Sequence, residues 1–193
     1  MTGELLALMV ARDGHFRLES GHHGALWLDV DALFVRPSLL APFVRRLADR
    51  LAAHRIDLVC GPVTGGAVMA ALIATELDIE CAFAERVADA RGAELYAARY
   101  RVTESASVRD RRVAVVDDVI NAGSAVRATL ADLDRRGAQS VALGAFLVLG
   151  SPAEQLAATR RIPLEALESR DNAIWPPAEC PACAAGTPLL DVT

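Results

Sequence analysis

Apolar and polar positions along the chain alternate between two rhythms. Residues 38 to 54, SLLAPFVRRLADRLAAH, place Leu40, Phe43, Val44, Leu47 and Leu51 at helical spacing with arginines on the opposite face, which predicts an amphipathic helix. A short apolar run follows at 57 to 62, then a glycine turn, a helical segment at 65 to 77 and a second apolar run at 79 to 85. The same order returns as RVAVVDDV (112 to 119), a glycine-bearing loop, a helix with Val126, Leu130 and Leu133 on one side, and VALGAFLVLG (141 to 150). Continuous apolar strands alternating with helices predict an α/β fold whose central parallel sheet is covered by helices on both faces.

Two stretches break the rhythm. Residues 86 to 111 are polar, rich in small side chains and weakly periodic, so they read as a long loop or a loose hairpin. The tail from 171 is rich in proline and has no period, and the expectation is that it wraps the surface without adding a strand.

Length and composition narrow the class. A chain of 193 residues, 53% hydrophobic, supports one domain with a full core and needs no staple. No apolar run is long enough to span a bilayer, and the start MTGELLALMVARDGHF has no basic region before its apolar stretch, so a cytoplasmic protein is expected. The net charge is −5 and the basic residues are scattered, which argues against a nucleic-acid backbone or a membrane surface as partner. All 20 basic residues are Arg, so Schiff-base chemistry and a lysine general acid are excluded. Cys60 and Cys81 fall in strand-like stretches and read as small core residues. Cys180 and Cys183 have zinc-ligand spacing but supply two of four ligands. The same pair from a second subunit, or His22 and His23, would complete a site; free thiols are the alternative.

In open parallel sheets ligands bind beyond the carboxyl ends of the strands, which directs attention to 61 to 66 and 117 to 125. In VAVVDDVINAGSA, Asp117 and Asp118 end an apolar strand, and a small-residue loop leads straight into a helix. Free N–H groups at a helix N-terminus attract a phosphate, and carboxylates accept from sugar hydroxyls, so the pair suits a sugar phosphate. An ordinary N-cap by Asn121 or Ser124 is the competing reading.

The stretch VAVVDDVINAGSA also resembles the PRPP-binding signature of type I phosphoribosyltransferases, where PRPP is 5-phosphoribosyl-1-pyrophosphate; Asn121 stands where Thr or Ser is usual. The resemblance implies that Asp117 and Asp118 hold the ribose hydroxyls and that Asn121, Ala122, Gly123, Ser124 and Ala125 surround the 5-phosphate. CGPVTGGAVMAA is similar to the family's pyrophosphate loop, here Thr64, Gly65 and Gly66. Within the family the likeness is strongest to the orotate phosphoribosyltransferases. HFRLESGHHGALWLDVDALF (15 to 34) resembles their base-covering segment, which implies a base-side role for Ser20, His22 and His23. The match departs at the catalytic lid: AERVADARG carries Arg86, Asp89 and Arg91 where the family carries lysines and a histidine. Arg86 and Arg91 are the expected replacements, with Arg99 and Arg101 as further sources of charge. Trp27, Trp175 and Tyr96 read as core or interface aromatics.

The resemblance therefore implies a single type I phosphoribosyltransferase domain over 1–193, with a hood at 1–36, a PRPP-binding core at 37–150 and a C-terminal extension with the CxxC pair at 151–193. It implies Mg²⁺ as the ion, a homodimer as the assembly, and phosphoribosyl transfer from PRPP to an aromatic nitrogen base, orotate first, in pyrimidine nucleotide synthesis. The alternatives are another planar base, or a non-catalytic PRPP or nucleotide sensor.

Overall fold

The computed structural model describes residues 4–18, 20–87 and 99–191. In chain order the elements are β1 (Val10–Arg17), β2 (His23–Asp29), α1 (Ala41–Ala52), β3 (Leu58–Pro62), α2 (Gly65–Leu77), β4 (Glu80–Arg86), β5 (Tyr100–Val102), β6 (Arg112–Ile120), α3 (Ser124–Arg135), β7 (Gln139–Leu149), α4 (Pro152–Arg160), β8 (Leu164–Arg170), β9 (Ile174–Trp175), α5 (Pro181–Ala184) and β10 (Leu190–Asp191). The main sheet has the order β5-β4-β3-β6-β7-β8, with every pair parallel except β4 and β5. Strand β6 is buried on both faces because its alternate residues enter different cores. Ala114 and Val116 join the core under α1 and α2 with Leu47, Leu51, Met69 and Ile73; Val113 and Val115 join the core under α3 and α4 with Val126, Leu130 and Leu156. A strand so placed must be apolar where helices cover both faces, here Val113 to Val116, which is the run seen in the sequence.

The expected helix at 38 to 54 begins with a 3-10 turn, Pro37–Leu40, and continues as α1, burying Val44, Leu47 and Leu51. Cys60 is fully buried and Cys81 packs against the core from a half-buried position. Beyond the polar stretch after 86, of which 88–98 lie outside the described residues, β5 pairs antiparallel with β4, with Arg86 opposite Tyr100. No helix among the described residues is long and apolar enough to cross a membrane.

Two sequence expectations give way. The α/β rhythm runs one unit past residue 150, because α4 and β8 extend the main sheet beside β7. The tail does add strands: β9 pairs with β2, and β10 pairs with β1, so a second sheet of order β10-β1-β2-β9 joins both ends of the chain. Two-residue strands leave no periodic signal, and only the hairpin they flank makes them strands. Leu5, Met9, Leu26 and Leu33 root this hood in the core of the α1 and α2 face.

Candidate active site

Strand order reverses between β3 and β6: the chain leaves β3 for β4 on one side and returns to β6 on the other. The crevice at their carboxyl ends is the natural ligand site of such a sheet. A cleft of about 510 Å³ lies there, lined from the β6 side by Asp117 to Ala125, from the β3 side by Pro62 to Gly65, and from the hood by Leu18, Ser20 and Leu26 to Leu28.

The two acids come from the last turn of β6's pleat and are fixed by the backbone. Asp117 Oδ1 accepts from the Asp118 N–H at 3.1 Å, and Asp118 Oδ1 accepts from the Val119 N–H at 2.6 Å. Asp118 is buried, and loss of solvent pushes its carboxyl above the ordinary carboxylate range; nearby Asp31 pushes the same way, while the Val119 N–H and Asp117 oppose. The β3 loop presses directly on this pair. A Cβ at Gly65 would stand 1.7 Å from Asp118 Oδ2, so only glycine allows the loop and the acid to meet. The Val63–Thr64 peptide in the same loop is cis.

Two helices open into the cleft. The turn into α3 uses Gly123 at φ +72°, a left-handed conformation that favours glycine. Neither α2 nor α3 has an acid in its first turn or a side-chain cap, so their first N–H groups remain available to an anion. The competing N-cap reading of Asn121 and Ser124 is thereby removed: Asn121 Oδ1 instead accepts from Asn172 Nδ2 at 3.1 Å, a tie to the tail.

Residues 40–177 match the phosphoribosyl transferase domain family. The chain belongs to that family. Among its relatives, an orotate phosphoribosyltransferase of Thermus thermophilus is 30% identical over 191 residues, covering 99% of this chain and 95% of the relative. Another, from Caldanaerobacter subterraneus, is 28% identical over 187 residues, covering 95% and 90%. Of solved structures, orotate phosphoribosyltransferase from Aeropyrum pernix superposes with a TM-score of 0.65 at 22% identity, covering 82% of this chain and 87% of that one. Adenine phosphoribosyltransferase from Trypanosoma brucei, solved with AMP, pyrophosphate and ribose-5-phosphate, gives 0.68 at 18% identity, covering 86% and 78%. These structural likenesses establish the type I phosphoribosyltransferase fold.

The cleft of this phosphoribosyltransferase gathers most of the residues singled out in the sequence. Asp117, Asp118, Asn121, Ala122, Gly123, Ser124, Ala125, Thr64, Gly65, Ser20 and Arg86 all line it. Gly66 sits one residue deeper, in the first turn of α2 and buried. His22 lies beside the cleft: its Nδ1 is 3.0 Å from Ser20 Oγ, and burial lowers its pKa. His23 is turned away, toward His15 and Cys183. The zinc-ligand partners expected from the same subunit are corrected accordingly: His15 stands with His23 and the cysteines where His22 was expected. Arg91, with Asp89, Gly92 and Tyr96, lies outside the described residues.

Sequence reasoning missed Trp27. It forms part of the cleft wall and is backed by the Arg12 guanidinium, 5.0 Å from its ring centroid across the β1–β2 pair. The period-2 placement of Leu26 and Leu28 around it marked a strand, but nothing local marked which face meets a ligand.

Proposed function

We propose that this enzyme transfers the 5-phosphoribosyl group from PRPP to orotate, releasing pyrophosphate. The observation that carries this reading is the contact of Asp118 with the Gly65 loop, which brings a ribose-binding acid pair, two uncapped helix N-termini and an apolar base-side wall into one cleft. The names of the relatives supply the acceptor.

In this reading each group of residues has its own task. Asp117 and Asp118 accept from the ribose 2- and 3-hydroxyls and hold the sugar. The first N–H groups of α3 hold the 5-phosphate. Thr64, Gly65 and Gly66 face the pyrophosphate with backbone N–H groups. A ring nitrogen of the base forms the new bond to C1 as the C1–O bond to pyrophosphate breaks, and the electron pair leaves with pyrophosphate. Arg86 supplies fixed positive charge near that developing anion; a guanidinium stays protonated, so it acts as a charge and not as an acid. Arg91 is proposed for the same task. The hood residues Leu26, Trp27 and Leu28 cover the base and exclude water, with Ser20 and His22 at its polar edge.

Mg²⁺ is the proposed ion. The cleft carboxylates Asp31, Asp117 and Asp118 are hard oxygen donors of the kind Mg²⁺ takes, and so fit it. When bound, Mg²⁺ would neutralise charge on the pyrophosphate. We also propose a homodimer in the cytoplasm, for which Val35 at 78% and Leu39 at 44% exposure offer an apolar contact next to α1.

A second reading keeps the reaction and changes the base. Orotate carries a carboxylate, while Arg86 is the one cationic side chain among the described residues lining the cleft, and the hood wall is apolar. That favours a less charged planar acceptor. Pyrophosphate release from PRPP and Mg²⁺, measured across a panel of pyrimidine and purine bases, decides between them. Orotate-dependent release that disappears in the Asp117→Asn, Asp118→Asn double variant supports the first reading. Release with another base alone selects the second, and tight PRPP binding without turnover would mark a sensor and overturn both.

A further inference from the structure

The second cluster of reactive side chains lies in the hood, and none of its members lines the cleft. His15 from β1, His23 from β2, Cys180 and Cys183 offer four ligand atoms that all lie within 4.8 Å of one another. His15 Nε2 is 3.1 Å from His23 Nδ1, 3.3 Å from Cys180 Sγ and 3.7 Å from Cys183 Sγ, and His23 Nδ1 is 3.2 Å from Cys183 Sγ. Around a tetrahedral zinc ion, with Zn–N about 2.0 Å and Zn–S about 2.3 Å, neighbouring ligand atoms stand roughly 3.3 to 3.8 Å apart. Four of the six edges among these atoms, 3.1 to 3.7 Å, are thus close to the size zinc needs, and the other two are no longer than 4.8 Å.

We propose that His15, His23, Cys180 and Cys183 bind a structural zinc ion that clips the C-terminal extension to the hood. Chemistry at each position supports it. His15 Nδ1 is 2.9 Å from the Thr187 carbonyl, so it carries the proton and donates, leaving the Nε2 lone pair directed at the other three ligands. Two thiolates balance the charge of the ion, so a neutral assembly is buried among residues of which three are themselves buried. Protein atoms fill all four positions, which is the closed arrangement of a structural site.

Local geometry builds the site on purpose. The β1–β2 register shifts between Asp13 and Phe16, and consecutive residues His15 and Phe16 are both buried there, as a bulge permits. On the other side, Cys180 immediately precedes the short helix α5 and Cys183 lies within it, with the Ala184 N–H donating to the Cys180 carbonyl at 3.1 Å and the Thr187 N–H to the Ala182 carbonyl at 2.9 Å. β9 and β10 flank the hairpin with two residues each, pairings too short to hold the tail unaided. The ion thus fastens the sheet that carries Leu26 and Trp27 to the cleft.

The test uses the full-length chain, purified under reducing conditions and without added metal. Elemental analysis is expected to find about one zinc per chain, and replacement by Co²⁺ to produce the visible bands of a tetrahedral site together with thiolate-to-metal charge transfer. His15→Ala and the Cys180→Ser, Cys183→Ser double variant should each weaken binding by about tenfold or more, while His22→Ala retains the ion. If the cysteine variants fail to fold, competition of the wild-type chain against a chromophoric chelator gives the same affinity. Reduced protein that takes up less than about a tenth of an equivalent of Zn²⁺, a Co²⁺ spectrum lacking thiolate ligation, or a Cys180–Cys183 disulfide in the isolated protein would each overturn the proposal.

Discussion

Asp118 carries two opposed demands. Its burial raises the carboxyl pKa, so the charged form that the proposed bond to a ribose hydroxyl calls for is disfavoured. A carboxyl with a raised folded-state pKa contributes stability below its unfolded pKa and loses it as pH rises through the folded value. Asp118→Asn removes the buried charge, keeps an acceptor for the Val119 N–H, and is expected to melt higher than the wild type at neutral pH, with the gap closing on acidification. The same variant loses the charge-assisted bond proposed to the sugar, worth about 1.5–3 kcal/mol, so PRPP binding should weaken roughly 10- to 150-fold by calorimetry. A variant that melts lower and binds unchanged would remove Asp118 from the ribose site. Cys60 illustrates burial without function. Burial pushes its thiol up to about 12, with Asp132 adding to the effect and Arg136 opposing it. Its thiol stays protonated at pH 8, and native-state alkylation followed by peptide mass mapping should leave Cys60 unmodified.

At the level of elements, Asp132 shows how α3 holds strand β5. Its Oδ2 accepts from the Val102 N–H of β5 at 2.8 Å, and its carboxylate pairs with Arg135 and Arg136. Asp132→Ala leaves a buried N–H and the Arg136 guanidinium without this partner. The expected cost is about 1–3 kcal/mol, seen as a lower melting temperature and faster hydrogen exchange at Val102, with β6 and β7 protected as before. Elements with a single, steady pattern were the ones legible in the sequence. The cores of β3, β6 and β7 announce themselves as apolar runs, as do α2 and β4, and α1 and α3 show their helical period. Strand β8, LEALESR, sits half-buried at the sheet edge and its mixed pattern hid it. The acid pair and small-residue loop that line the cleft were legible as a unit because they are contiguous in sequence. The His15, His23, Cys180 and Cys183 group was half legible: His15 is 165 residues from Cys180, and only the β1–β2 bulge and the tail's path bring them together.

Across the whole molecule, the cleft is shared between two bodies of structure that do different jobs. Loops of the main sheet supply Thr64, Gly65 and the run from Asp117 to Ala125, while the hood supplies Leu18, Ser20, Leu26, Trp27 and Leu28. If PRPP is held by the first group and the base by the second, their contributions separate under mutation. Trp27→Ala removes an aromatic wall and the partner of Arg12, and it does so from strand β2 of the hood, not from the loops of the main sheet. Stacking on an aromatic ring is worth about 1–3 kcal/mol per base, so kcat/KM for the base should fall roughly 5- to 150-fold, with the calorimetric Kd for PRPP unchanged. Loss of PRPP affinity in parallel would show that the hood orders the main-sheet loops as well as the base. Gly65→Ala probes the converse. A Cβ 1.7 Å from Asp118 Oδ2 must displace the carboxylate or the loop, at an overpacking cost of about 1–3 kcal/mol in stability. It should reduce PRPP binding at least tenfold while leaving the tryptophan emission of the hood, from Trp27 and Trp175, unaltered. The two variants together locate the boundary between sugar and base recognition, and a Gly65→Ala enzyme with intact PRPP affinity would place that boundary elsewhere.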